Sequence, residues 1–252
     1  MPTLNFRKTL PYRALVAAAC SFIISLATFS LPTLAANSPI APYQANYLAY
    51  SKGFTLKLGR KLEQQAGDQW QLSNITQVLF SQIKESSTFT LSDGKLQPMS
   101  YQYDNPLSRK KNSSLQFDPA ANTVQELTSK SAPLILATAS YDQLSFQMQL
   151  RLDFINQAEP FTKKSYQLVD GDDLKHYQVE VLGEETINIA AGSFKAIKLK
   201  QYRPGKDKYT LIWLAKDWQY FILRLQRFKE GSSDSNIELQ NAIIDGKPIS
   251  SL

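Results

Sequence analysis

From Tyr43 onward the apolar residues of this chain recur mainly at every second position. That spacing matches a strand with one buried face, and it commits most of the chain to antiparallel sheet before any other feature is weighed. Phe54, Leu56 and Leu58 alternate with Thr55 and Lys57, while Trp70 and Leu72 continue through Thr76, Val78 and Phe80 on one face. Turn residues cut the runs at Gly67-Asp68, Asp93-Gly94, Asp118-Pro119, Asp170-Gly171-Asp172-Asp173, Ala191-Gly192-Ser193 and Pro204-Gly205. Asp93-Gly94 is the strongest of these, because a glycine after Asp accepts the positive φ of a tight hairpin. The pattern predicts roughly eleven or twelve strands in a meander. Aromatic residues, at 11%, favour the same pleated, half-buried surfaces.

One stretch departs from the two-residue period. Tyr141, Leu144, Met148, Leu152 and Ile155 fall three and four apart, and no Gly or Pro intervenes before Pro160. This spacing predicts an amphipathic helix, with Asp142 near its start and Arg151 nearer its end suiting the helix dipole. Ser131 to Thr138, broken by Pro133, reads as the buried lead-in. Many strands with one helix, and with no repeat or linker between them, predict one β-rich domain over 37–252. Its architecture would be a large curved antiparallel sheet or incomplete β-barrel, with the amphipathic helix on the concave side. A complete membrane barrel is the rival architecture. Lys195, Lys198 and Lys200 on one strand, and Lys57 and Arg60 on another, put charge on both faces and argue against it.

The N-terminus indicates the compartment. Arg7, Lys8 and Arg13 precede an apolar run from Ala14 to Leu31, then Pro32 and the small-residue sequence Thr33-Leu34-Ala35-Ala36. This is the layout of a secretory signal peptide over 1–36, removed on export, with a retained anchor as the competing reading. Cys20, the one cysteine, would leave with it, so the mature chain would rely on packing without disulfides. Loss of three basic and no acidic residues lowers the net charge from +6 to +3, which gives no case for nucleic acid. Arg109-Lys110-Lys111 and Lys163-Lys164 read as solvated turns.

A single histidine excludes much chemistry. His176 lies where Tyr177, Val179 and Val181 mark the buried face, so it points to solvent, and with one Cys no four-ligand Cys/His zinc site can be assembled. Ser81 and Lys84 have the spacing of a Ser-x-x-Lys nucleophile, but strand geometry would part them. Asp170, Asp172 and Asp173 fail the calcium-loop pattern, because Leu174 and Val181 stand where ligands are required. Glu184 and Glu185 are strand neighbours facing opposite ways. No catalytic residue, metal ligand or cofactor is therefore expected. The remaining candidates are aromatic: Trp70, Phe80, Tyr209, Trp213, Trp218 and Tyr220 could floor an apolar pocket on the concave face, and core packing explains the same residues.

Several phrases of the second half resemble the exported bacterial family DUF3108, a domain of unknown function. They are Tyr141-Asp142-Gln143-Leu144-Ser145 running into Leu150-Arg151-Leu152, Val181-Leu182-Gly183-Glu184-Glu185, Ala191-Gly192-Ser193-Phe194-Lys195-Ala196-Ile197-Lys198-Leu199, and Ile212-Trp213-Leu214-Ala215-Lys216-Asp217. Tyr43 to Tyr50 is similar to that family's opening strand, and Tyr220 to Arg224 departs from it by lacking a proline. The resemblance implies export and a β-rich domain, and it supplies no catalytic residues. The expected role is a non-enzymatic protein of a Gram-negative periplasm that holds a lipid or lipid-linked glycan on its concave sheet. The alternative is an interaction protein that recruits an envelope partner by edge-strand addition. An enzyme with an unrecognised carboxylate site ranks third. Membrane contact would be transient, or made by an uncleaved signal segment.

Overall fold

The first and last long strands of the sheet lie side by side, and this pairing organises everything else. The structure, a computed structural model, describes residues 38–251 except 52, 93 and 157–160, so the expected signal segment with Cys20 lies outside the described residues. In chain order the strands are β1 (Tyr43–Ser51), β2 (Phe54–Gln64), β3 (Gln69–Val78), β4 (Ser81–Ser92), β5 (Lys95–Asp104), β6 (Ser113–Asp118), β7 (Thr123–Glu126), β8 (Leu134–Ile135) and β9 (Ser140–Tyr141). The helix α1 (Gln143–Ile155) follows, then β10 (Lys163–Asp170), β11 (Asp173–Ile189), β12 (Gly192–Tyr202), β13 (Tyr209–Ala215), β14 (Phe221–Lys229), β15 (Ser232–Ile244) and β16 (Lys247–Pro248). β8, β9 and β16 are two-residue strands, which is why the alternation pattern did not reveal them.

One sheet runs β8-β7-β6-β5-β4-β3-β2-β1-β15-β14-β13-β12-β11-β10-β9, with β16 beside β15. Neighbours are antiparallel except β9 and β10, which run parallel across the α1 crossover. β8 and β9 end opposite edges of this order, yet only Leu136 to Ala139 separate them in the chain. Five extended peptide steps span at most about 18 Å. The sheet must therefore curl until its two edges face one another, and it stops short of a closed barrel.

Pairing sets the faces of the wall. Lys198, Trp213, Arg224, Glu238 and Leu48 fall in one lateral row, and Leu199, Ile212, Leu225, Ile237 and Ala49 in the next. Successive residues point to opposite faces, so charge and apolar surface are sorted to the two sides. Gly183 sits in a bulge within the 17-residue β11, at φ +133.

The helix fills the concave side. Leu144, Met148 and Leu152 of the expected stripe are buried, but so are Phe146, Leu150 and Phe154, together with Ser145, Arg151 and Asp153. Gln143, Gln147, Gln149 and Ile155 are half-buried and no residue of the helix is fully exposed, so the amphipathic expectation holds only for its apolar stripe. Each large apolar side chain buried there contributes about 1.5–3 kcal/mol. The start is fixed by a capping box: Asp142 accepts from the backbone N–H groups of Leu144 and Ser145, and the Ser145 hydroxyl accepts from the Asp142 N–H. Polar ties reach three parts of the wall, from Arg60 on β2 to Gln147, from Asn156 to the Gly94 carbonyl, and from Arg151 to the Gln219 carbonyl.

Candidate functional site

The concave interior is the candidate site, and its contents follow from which polar residues share the inward parity. On β2, Arg60 stands between Leu58 and Leu62, so the apolar row carries a guanidinium into the core, where it is 6% exposed. Its Nε donates to Asn74 Oδ1 (2.9 Å) and its Nη2 to Gln147 Oε1 (2.7 Å). Asn74 passes the chain on to Glu85 (3.0 Å), which also accepts from the Tyr101 hydroxyl (2.8 Å). Burial, reinforced by the neighbouring Glu85 carboxylate, pushes the Tyr101 hydroxyl far above its ordinary range.

Arg151, on α1, is the second buried guanidinium. It donates twice to the Gln219 carbonyl at 3.3 Å and lies 5.5 Å from the Tyr43 ring and 5.2 Å from the Phe221 ring. Burial lowers its pKa against the pull of Tyr43 and Tyr47, and the nearby Arg60 lowers it further. Both cations are thus held by neutral amides, a carbonyl and ring faces. At the other end of α1, burial pushes the Asp142 carboxyl up to about 6, although Ser145, Ser87 and the Leu144 N–H all donate to it. Asp153 is held by Lys164 (2.8 Å) and by the Tyr166 hydroxyl, whose own pKa burial and the carboxylate drive upward. Sequence reading noted Arg60 and Arg151 only as a surface charge and a dipole partner. The signal that could have found Arg60 was its apolar parity.

The six aromatic candidates do not converge. Trp70 is buried in the core at 2% exposure, and Tyr220 lies against Phe154 of α1 with ring centroids 5.1 Å apart. Trp213 is buried beneath Lys198 and Arg224, and its Nε1 donates to Glu185 (2.6 Å). That contact, with Lys198, holds the Glu185 carboxyl below its usual range despite its slight burial. Tyr209 stacks on Phe228 at 4.8 Å beneath Lys200. Trp218 and Tyr220 occupy the connection between β13 and β14, where Trp218 ends a short 3-10 turn and donates to the Ser250 carbonyl. Phe80 requires a correction: expected on the buried face with Trp70 and Leu72, it is fully exposed, because β3 ends at Val78 and the chain turns at Leu79 and Phe80. Sequence reading missed this turn because Leu-Phe carries none of the usual turn chemistry.

The interior around α1 is occupied by side chains. Grooves of about 460, 550 and 500 Å³ open between strands, and none of them is lined by α1. The first is lined mostly by residues of polar type, among them Asn74, Glu85 and Ser113. Near it, hydrogen bonds from Ser113, Ser114 and Thr128 outweigh partial burial and hold the Glu126 carboxyl low. His176 is exposed, with Gln167 at 3.4 Å. Among the described residues, no cluster of three His, Cys, Asp or Glu side chains is placed to hold a metal ion, and no helix is long and apolar enough to cross a membrane.

A family model described as a protein of unknown function, DUF3108, matches residues 50–238. No curated protein matches the chain in sequence. A crystal structure of a β-barrel-like protein of domain of unknown function DUF1849 from Brucella abortus is similar in fold, with a TM-score of 0.52 and 12% identity over 81% of this chain and 98% of that one. A chain in the MucA/MucB complex of Pseudomonas aeruginosa aligns at a TM-score of 0.40 and 10% identity, over 82% of this chain and 53% of that one.

Proposed function

We propose, from the premise that the chain belongs to the DUF3108 family, that it is a non-enzymatic protein of the cell envelope, exported through its N-terminal segment, which recruits an extended segment of a protein partner at the seam of its sheet. The seam carries this reading. β9 pairs with only Gln167 and Leu168 of the eight-residue β10, and β8 with only Thr123 and Val124 of the four-residue β7. Among the described residues, Lys163 to Tyr166 therefore have a ladder partner on the β11 side alone. An edge with open backbone groups is a template for an added strand, and a strand entering here would complete the wall.

A carrier role for the concave face has one observation in its favour. Arg60 and Arg151 bring two positive charges into the apolar interior with neutral partners only, which suits the anionic head of a lipid or lipid-linked glycan. Such a ligand would have to displace α1, whose apolar side chains occupy that space, so the seam reading is preferred.

A photo-crosslinking residue placed at Ser165, exposed on the β10 edge, tests the proposal in cells. A discrete protein adduct from position 165, and none from the exposed Lys195 on the doubly paired β12, is the expected result. Native mass spectrometry of the purified protein supplies the second arm. No adduct at position 165, together with an added mass that organic extraction removes, would overturn the partner reading in favour of the carrier.

A further inference from the structure

The turn between β3 and β4 contradicts the chemistry that tight turns normally use. Val78 pairs with Ser81, so Leu79 and Phe80 form a two-residue hairpin loop of the kind that favours Asn-Gly. Leu79 instead adopts φ +50, a left-handed conformation that branched side chains disfavour. The two side chains are 88% and 105% exposed, so the fold gains no packing from them. Local rules broken without a gain inside the fold point to a use outside it.

Register shows that this tip is not alone. Lys57 pairs with Gln77, and three further steps bring Phe54 level with Phe80. Lys84 pairs with Asp104, and three further steps bring Leu107 level with Ser81. Tyr50 pairs with Thr55, one residue from Phe54. Tyr50, Phe54, Leu79, Phe80 and Leu107 therefore line one end of the β1–β5 wall, and each is an exposed large apolar residue.

The charge of the three chain segments that carry most of them is one-sided, while the neighbouring β14–β15 hairpin is balanced, with Arg227 against Asp234 and Lys229 against Glu230. Among the described residues of 48–57, 76–84 and 104–112 are Lys57, Lys84, Arg109, Lys110 and Lys111 against the single acid Asp104. Lys57, Lys84, Arg109, Lys110 and Lys111 are exposed, and none of these five is in an ion pair among the described residues. Asp104 accepts from Asn112.

We infer that this end of the sheet docks on a bilayer surface rich in anionic phospholipid. Phe54, Leu79, Phe80 and Leu107 enter the interface, and the basic residues lie against the head groups. Apolar side chains protruding from separate hairpins suit a fluid acyl layer, which closes around each of them, better than a rigid partner that would need a matching pocket for every tip. The unpaired cations supply the complementary charge, and their contribution weakens with salt. This surface uses residues other than the seam and stands independently of the partner reading.

The test uses the full chain with Phe80→Trp as a local probe, so that the apolar N-terminal run cannot mimic the result. Vesicles of phosphatidylglycerol should blue-shift the introduced indole, and brominated acyl chains should quench it. Phosphatidylcholine vesicles, or high salt, should reduce both effects. Phe54→Ser with Leu79→Ser in the Phe80→Trp background, two exposed changes that leave the melting temperature unmoved, should lower vesicle affinity of the tip by about tenfold or more, as expected for apolar burial of this size. Emission from the introduced indole that stays unchanged on phosphatidylglycerol vesicles overturns the inference, even if the chain sediments with them. A blue shift with a soluble partner protein but not with vesicles overturns it equally.

Discussion

Asp142 makes stability depend on pH in an unusual direction, and the size of the effect follows from its surroundings. Burial raises this carboxyl from 3.8 to about 6. The unfolded chain releases the proton near pH 3.8, while the folded chain holds it until about 6, so across that window the folded state binds more protons. Stability from this group is therefore complete below about pH 3.8 and lost as pH rises through 6. At about 1.4 kcal/mol per pH unit, the rise from 3.8 to about 6 makes the loss about 3 kcal/mol, with the opposing help of the helix N-terminal N–H groups already contained in it. Asp142→Asn reproduces the protonated state, because Oδ1 still accepts from the Leu144 and Ser145 N–H groups while the amide N–H₂ faces the Ser87 and Ser145 hydroxyls. Urea unfolding of both proteins, followed by circular dichroism from about pH 4 to 7.5, should show equal stability at the acid end and a variant more stable by about 3 kcal/mol at neutral pH. A stability difference that is flat with pH, or one in which the wild type gains as pH rises, would refute the burial argument.

Other changes read the packing directly. Leu152→Ala, at a fully buried position on α1, should cost about 3–4 kcal/mol in urea unfolding, whereas the same change at half-buried Ile155 should cost about half as much; equal losses would mean that α1 is not enclosed by the wall. Gly94→Ala meets two obstacles, φ +71 and Asn156 Nδ2 at 2.9 Å from the new Cβ, while Gly67→Ala meets only φ +66. Gly67→Ala should cost about 1 kcal/mol and Gly94→Ala about 2. Equal melting temperatures for the two variants would show that the Asn156 contact with the β4–β5 hairpin is not made.

The legible part of the fold was the part governed by local period. Alternation at Phe54 to Leu58 and around Val179, and the glycine turns at 67, 94, 171, 192 and 205, lie where the structure has strands and hairpins, because side-chain period and backbone sterics act within a few residues. The three-and-four spacing from Tyr141 marked α1 for the same reason. Phe80 misled because two-residue alternation does not announce where a strand stops when the turn is built from Leu and Phe. The aromatic set misled in a different way: Trp70, Tyr209, Trp213 and Tyr220 are all apolar and suitably placed along the chain, but facing a common cavity depends on sheet closure, which no single strand encodes.

By itself the sequence determined the antiparallel meander, the helix α1, the family and the absence of most histidine and cysteine chemistry. Those follow from residue type and from spacing shorter than a turn or a strand. Only the tertiary structure decided that β1 and β15 join, that β8 and β9 face each other across an open seam, that Arg60 and Arg151 share one interior, and that the apolar tips end level with a basic rim. β8 and β9 are neighbours in the chain but meet only because the whole sheet curls, and the other three bring together residues tens to hundreds of positions apart. Curvature and register accumulated over the whole sheet set such distances, so no local pattern could have contained them.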